Sequence, residues 1–125
     1  MNSFGTTNQH RVNMKFSMKE LNDITVVKME GSMLGGPEAS ELNSALHKLL
    51  DAKKKQIVVD LSGVLLMNSS GLGMLIGAVT TMRNAGGDLK ISSAVEKVAQ
   101  VFKMTKVSNV IELHDSVKSA VESFR

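Results

Sequence analysis

The 125-residue chain contains no cysteine. This absence excludes a disulfide framework, catalysis by a thiol and metal sites built from thiolates, and it fits a reducing compartment. No apolar run approaches the ~20 residues that a membrane-spanning helix needs, and residues 1–13 lack the apolar stretch of a signal peptide. The sequence therefore predicts a cytoplasmic protein with no segment inserted into a membrane.

Aromatic residues make up only 3% of the chain, and Trp and Tyr are missing altogether. A surface that binds single-stranded nucleic acid needs aromatic faces on which bases can stack, and the formal net charge of +3 is too small to indicate a nucleic-acid partner. The three histidines, His10, His47 and His114, do not have the spacing of metal ligands. We therefore expect no nucleic-acid partner, no metal site and no cofactor.

Hydrophobic residues account for 42% of the chain, which is enough for one domain with its own core. Residues 1–13 are polar and show no hydrophobic period, so we predict a disordered tail there and a domain over residues 14–125. Apolar and polar residues alternate from Met14, which predicts a strand. The pair Asn22-Asp23 predicts a turn into a second strand over Ile24–Met29, giving an antiparallel hairpin.

Helices and strands alternate through the rest of the chain. After Gly35-Gly36-Pro37, apolar residues at helical spacing predict a first helix, and the β-branched run Ile57–Val59 predicts a central buried strand. The remaining signals are a lysine run (Lys53–Lys55) read as a solvated helix end, a helix C-cap at Gly86-Gly87, a capping box from Ser93 to Glu96, a fifth strand over Val110–Leu113 and a helix cap at Asp115. The order β-β-α-β-α-β-α-β-α predicts an α/β fold whose mixed β-sheet has an antiparallel N-terminal hairpin and four helices.

The most unusual segment is Asn68-Ser69-Ser70-Gly71, which stands between the buried strand and the second helix. A helix N-terminus favours negative charge, so a serine there is well placed to carry a phosphate. Asn and Ser are also common N-caps, and the residues alone leave both interpretations open. Asp60 has two interpretations as well, because it could shape a site near the serines or cap the turn that follows it.

The stretch Ile57–Val64, followed by Met67–Leu75, resembles the signature of STAS domains, and more narrowly of bacterial anti-sigma factor antagonists. The resemblance covers Met14–Arg125 and implies a STAS-like fold in which the loop at Gly35-Gly36 lies near the serine loop. In such proteins the first serine of an Asp-Ser-Ser-Gly motif is phosphorylated, which implies Ser69 as the acceptor here. The chain has Asn68 where the motif usually has Asp, so it lacks a negative charge beside the acceptor.

The resemblance implies an anti-sigma factor antagonist that works by partner switching. Unphosphorylated protein would bind an anti-sigma factor serine kinase and free a sigma factor, and a metal-dependent serine phosphatase would remove the phosphate. The implied partner-binding residues are Asn68, Ser69, Ser70, Gly71, Gly35, Gly36 and Asp60. An alternative is a STAS accessory subunit of a membrane transport system that acts by binding another subunit. No general base can be placed near Ser69, so we expect no enzymatic activity.

Overall fold

The computed structural model describes residues 14–107 and 110–124, so the predicted tail, residues 1–13, lies outside the described residues. The elements in chain order are β1 (Met14–Leu21), β2 (Ile24–Met33), α1 (Pro37–Asp51), β3 (Gln56–Met67), α2 (Ser69–Asn84), β4 (Asp88–Ser92), α3 (Glu96–Thr105), β5 (Leu113–His114) and α4 (Val117–Glu122). The five strands form one sheet in the order β1-β2-β3-β4-β5. This architecture confirms the predicted mixed α/β fold.

The N-terminal hairpin follows from its two turn residues. Asn22 and Asp23 have φ angles of 53° and 67°, which is the left-handed backbone of a two-residue hairpin turn. Asn and Asp tolerate that conformation better than most other residues. The turn places Leu21 opposite Ile24 and makes β1 antiparallel to β2, as predicted. Strand β2 extends to Met33, beyond the predicted end at Met29.

Strand β3 lies in the centre of the sheet, parallel to both β2 and β4. Ile57, Val58 and Val59 are completely buried, so the predicted central strand is confirmed. The strand does not close at Asp60, directly after the β-branched run, but continues to Met67. The extension is paired with the far half of β2 alone, across two register shifts, whereas β4 stops pairing at Asp60.

The two faces of the sheet are covered unequally. Helices α1, α2 and α3 share the larger core with the sheet, in which Phe102 is the largest fully buried side chain. The short helix α4 lies over the other face, where Ala120 and Val121 pack against Ile24, Val26 and Val58. Within residues 14–107 and 110–124, no helix has both the length and the apolar character needed to cross a bilayer.

Helix α2 ends as its sequence predicts, at two glycines. Gly86 has a left-handed φ of 85°. Its N–H donates to the Arg83 carbonyl, and the Gly87 N–H donates to the Met82 carbonyl at 2.8 Å. This pair of hydrogen bonds is the Schellman motif, in which glycine avoids the steric penalty of a left-handed residue.

The predicted capping box from Ser93 to Glu96 is wrong. Ser93 takes a left-handed φ of 63° and donates its N–H to the His114 carbonyl. Its backbone therefore continues the pairing with the neighbouring segment instead of starting a helix. Helix α3 begins only at Glu96, and its N-cap residue, Val95, makes no side-chain cap hydrogen bond.

The fifth strand and the last helix also start later than predicted. The N–H groups of Val110 and Ile111 both donate to the Val107 carbonyl at 2.8 Å, so this segment is a turn and the strand is confined to Leu113–His114. The cap of α4 is Ser116, whose side chain accepts a hydrogen bond from the Ser119 N–H, and not Asp115.

A buried lysine ties α4 to the sheet. The Lys90 side chain is only 9% exposed, and its Nζ donates to the Ser123 carbonyl at 3.0 Å and to Ser123 Oγ at 2.7 Å. The Glu112 carboxylate lies 3.2 Å from the same ammonium and also contacts His114 Nε2. The hydrogen bond from His114, assisted by Lys90, lowers the pKa of Glu112 despite the opposing effect of burial.

We expect Glu112→Gln to lower the free energy of unfolding at neutral pH by less than ~1 kcal/mol, because the Glu112 side chain is 46% exposed and solvent screens its ion pairs. A lowered pKa means that the carboxylate stabilises the fold above its ordinary pKa of 4.5 and loses this effect as the pH falls through the lowered value. The free energies of unfolding of the wild type and of Glu112→Gln, measured with urea, should therefore become equal in acid. Glu122→Gln, on the exposed side of α4, controls for the loss of one carboxylate, and a difference that persists unchanged in acid contradicts the assignment.

Candidate functional site

Two connections meet at the edge of the sheet where the parallel strands β2 and β3 end. Met33 and Met67, the last residues of these strands, are register partners, and the Asn68 N–H donates to the Met33 carbonyl at 3.3 Å. The segments 33–37 and 68–71 therefore form one surface, which we call the two-loop site. Ligands and partners of such folds bind at the carboxyl ends of parallel strands, and this is the end at which the two-loop site lies.

Asn68 is the N-cap of α2. Its backbone is extended, and its Oδ1 accepts a hydrogen bond from the Gly71 N–H at 2.8 Å. Ser69 and Ser70, the first two helical residues, are exposed, and neither hydroxyl makes a hydrogen bond to any residue that the structure describes. The sequence left open whether this segment caps the helix or carries a phosphate. In the structure Asn68 is the cap, so the serine hydroxyls are not needed for capping.

Glycines allow the two connections to touch. A Cβ on Gly71 would lie 2.0 Å from the Met33 carbonyl oxygen, and a Cβ on Gly35 would lie 2.7 Å from Ser70 Cβ. Gly35 and Gly36 also have φ angles of 82° and 110°, which side-chain-bearing residues rarely adopt. The structure therefore brings Gly35 to the serine loop, as the resemblance implied, and Gly36 follows it as the N-cap of α1.

Three leucines are exposed at the two-loop site, Leu34 within it and Leu65 and Leu66 directly before it, and the sequence reasoning did not single them out. Leu65 is 67% exposed, Leu66 45% and Leu34 38%. Leu65 and Leu66 lie in the part of β3 that extends beyond β4 and leads directly into Asn68. The signal that could have revealed these leucines is the run Val64–Met67, in which four successive apolar residues stand directly before the N-cap of α2.

Asp60 lies apart from the other predicted site residues. It sits within β3, ahead of both register shifts, and its Oδ1 accepts a hydrogen bond from the Ser62 N–H at 2.9 Å. The contact is as local as the capping interpretation expected, but the predicted turn after Asp60 is wrong, because Asp60 and Ser62 both belong to β3 at its first register shift against β2. None of the hydrogen bonds or ion pairs found in residues 14–107 and 110–124 joins Asp60 to the two-loop site.

The two-loop site carries no ionisable side chain, since its segments read Met-Leu-Gly-Gly-Pro and Asn-Ser-Ser-Gly. Both α1 and α2 begin here, so the local field comes from helix N-termini, which carry a partial positive charge. Across the described parts of the chain, no cluster of His, Asp and Glu could hold a metal ion. The arrangement suits an added anion and apolar contacts better than acid–base chemistry.

Gly71→Ala should lower the free energy of unfolding by ~1–3 kcal/mol, because its methyl group would overlap the Met33 carbonyl and force the two segments apart. The control is Gly73→Ala, two residues along the same helix, where a Cβ would meet nothing within 4 Å. That substitution should stabilise the protein by up to ~1 kcal/mol through helix propensity. Urea unfolding measures both effects, and a Gly71→Ala variant as stable as the wild type would refute the close contact.

Comparison with known proteins supports the same architecture. The STAS domain model matches residues 15–120. BtrV of Bordetella bronchiseptica, whose name places it among anti-sigma factor antagonists, is 20% identical over 112 residues, which are 90% of this chain and 96% of BtrV.

Solved structures show the same fold. A crystal structure of an anti-sigma factor antagonist from Mycobacterium paratuberculosis superposes with a TM-score of 0.75 and 17% identity, covering 88% of this chain and 92% of the other. The Bacillus cell fate determinant SpoIIAA, in its phosphorylated form, superposes with a TM-score of 0.66 and 13% identity, covering 89% and 100%. These similarities confirm the STAS-like fold that the sequence predicted. Since the family match covers residues 15–120, far more than half of the chain, the chain belongs to the STAS domain family.

Proposed function

We propose that the protein is an anti-sigma factor antagonist, which binds an anti-sigma factor serine kinase through the two-loop site and is switched by phosphorylation of Ser69. The observation that carries the proposal is the exposed Ser69 hydroxyl at the first residue of α2, beside a cap that Asn68 already provides. The names of BtrV and of the Mycobacterium protein, and the phosphorylated form of SpoIIAA, support the same role.

The surface around Ser69 has the composition of a protein-binding site. Leu34, Leu65 and Leu66 supply exposed apolar area next to the uncharged polar groups of Asn68 and Ser70. Exposed apolar patches with polar surroundings mark interaction surfaces, and the fully buried centre of an interface is depleted in charged residues. A kinase that recognises this surface holds Ser69 within it, so the same contacts serve binding and modification.

Phosphorylation brings the first charge into this surface. A phosphate adds about −1.5 to −2 charges at neutral pH, and the N-terminus of α2 accommodates an anion. In a complex, the phosphate loses water and meets a partner surface that was complementary to an uncharged one. A loss of ~3 kcal/mol weakens binding more than a hundredfold, since each 1.4 kcal/mol is a factor of ten.

Asn68 increases the difference in charge between the unphosphorylated and the phosphorylated two-loop site. Asn and Asp cap helices about equally well, so the capping of α2 is preserved although the chain departs from the family motif. An Asp at position 68 would give the unphosphorylated surface a charge of its own. With Asn68, the two-loop site changes from no ionisable group to one dianionic group when Ser69 is modified.

The remaining partner-binding assignments have unequal support. Gly35 and Gly36 contribute backbone to the two-loop site, and Gly71 contributes by admitting the Met33 carbonyl, so we assign all three to the same interface. Asp60 lies outside this surface, and its role in binding stays a prediction. A metal-dependent serine phosphatase would restore the binding form, and the protein itself acts as a binding module and not as an enzyme.

Ser69→Ala should bind the kinase constitutively, and Ser69→Asp should bind it more than about tenfold more weakly, because only the latter places charge in the interface. Melting temperatures of the two variants should be similar, since the hydroxyl has no hydrogen-bond partner among the residues that the structure describes. The kinase is the ATP-dependent protein recovered by wild-type protein in a pull-down. Affinities are measured by isothermal titration calorimetry.

Ser70→Ala is the matched control, because Ser70 is the adjacent exposed serine of the same helix turn. It should still be phosphorylated on Ser69 when incubated with the kinase and ATP. Mass spectrometry that places the phosphate on Ser70, or on no residue, overturns the assignment of Ser69. A pull-down that recovers a transporter subunit and no kinase favours the accessory-subunit alternative.

A further inference from the structure

A second concave site lies at the opposite end of the sheet from Ser69. It is a cavity of about 520 Å³ between the hairpin turn, the first residues of β3 and β4, and the C-terminal ends of α1, α2 and α4. Three lysines, Lys53, Lys55 and Lys90, contribute to its lining. Its volume falls within the range of small-molecule binding sites.

The cavity carries an excess of positive charge. Lys53 and Lys55 make no ion pair or side-chain hydrogen bond with the residues that the structure describes, whereas Lys54 between them pairs with Glu20 at 2.9 Å. Of the two carboxylates that line the cavity, Asp88 is neutralised by Arg83 at 3.0 Å, which leaves Asp23 alone. The sequence reasoning took these lysines for a solvated helix end.

Lys90 adds a buried cation to the wall of the cavity. Its ammonium is held by Ser123 and Glu112 and lies 4.3 Å from the centroid of the Phe124 ring. These contacts fix its position, and the Glu112 carboxylate offsets its charge as Arg83 offsets that of Asp88, so Lys90 is not a free donor for a ligand. Lys53 and Lys55, both exposed, are the lysines whose ammonium groups can still bind a ligand directly.

Lys53 occupies a strained backbone position. Helix α1 ends in a Schellman motif, in which the Lys53 N–H donates to the Leu50 carbonyl at 2.9 Å and the Lys54 N–H donates to the Leu49 carbonyl at 2.8 Å. Lys53 has the left-handed φ of 63° at the position where α2 has a glycine, Gly86. A side chain in this conformation has a steric cost that glycine avoids, and the lysine that bears it here lines the cavity.

We propose that this cavity binds a small molecule carrying a phosphate or diphosphate group, with Lys53 and Lys55 as its direct ligands. Lysine ammonium groups bind phosphate as compact point charges. The strain at Lys53 is then the cost of placing a cation where glycine would be more stable. This site is separate from the two-loop site, and the proposal does not depend on the role of Ser69.

The test is titration calorimetry of inorganic pyrophosphate into the full-length protein at constant ionic strength, since salt screens such contacts. The decisive pair of variants is Lys53→Gly and Lys106→Gly. Lys106 has a left-handed φ of 61° at the end of α3 and does not line the cavity. Glycine relieves the same strain in both, so each melting temperature should rise by about 2–5 °C. Only Lys53→Gly should weaken pyrophosphate binding, by about tenfold or more.

A second pair of variants removes a lysine charge without introducing a glycine, so it tests the effect of charge alone. Lys55→Gln should weaken pyrophosphate binding, and Lys54→Gln should leave it unchanged because its ammonium belongs to the Glu20 pair. Ser69→Ala should bind pyrophosphate as the wild type does, whatever its effect on the kinase. The proposal is overturned if the wild type shows no saturable binding of pyrophosphate, or if Lys53→Gly binds it as tightly as Lys106→Gly does.

Discussion

The contact between the Met33 carbonyl and the start of α2 is the constraint on which the site depends. This carbonyl accepts a hydrogen bond from the Asn68 N–H and lies where a side chain at Gly71 would otherwise stand. The end of β2 is thereby fixed against the first turn of α2, and Gly35 is held against Ser70. Two segments that are distant in the sequence thereby form one continuous surface at the edge of the sheet.

The neighbouring residues of that surface have different structural roles. Asn68 caps the helix end, Gly71 provides the room for the contact, and the Ser69 hydroxyl makes no hydrogen bond within the described part of the chain. A phosphate on Ser69 therefore alters what a partner meets without removing any contact that holds the fold together. The cavity lined by Lys53 and Lys55 lies at the other end of the strands, so an anion bound in that cavity and a phosphate on Ser69 would occupy separate surfaces.

Local signals in the sequence predicted much of the fold, because the turn at Asn22-Asp23, the run at Ile57–Val59 and the glycines after α2 each act within a few residues. The prediction failed where a distant partner decides, as at Ser93, whose N–H is taken by the His114 carbonyl. The exposure of Leu65 was missed for the same reason, because it depends on where β4 stops. The strain at Lys53 is local, since it arises from the way α1 ends against Leu49 and Leu50, and it was missed because the lysine run was interpreted as a solvated helix end.

The most direct test of the central claim is hydrogen–deuterium exchange of the protein with and without the proposed kinase partner, before and after phosphorylation of Ser69 by it. The account predicts that the partner protects residues 33–37 and 65–73, and that phosphorylation abolishes this protection while exchange in β3 around Val58 stays unchanged. Protection centred on α3 and α4, or faster exchange throughout the sheet after phosphorylation, would contradict it.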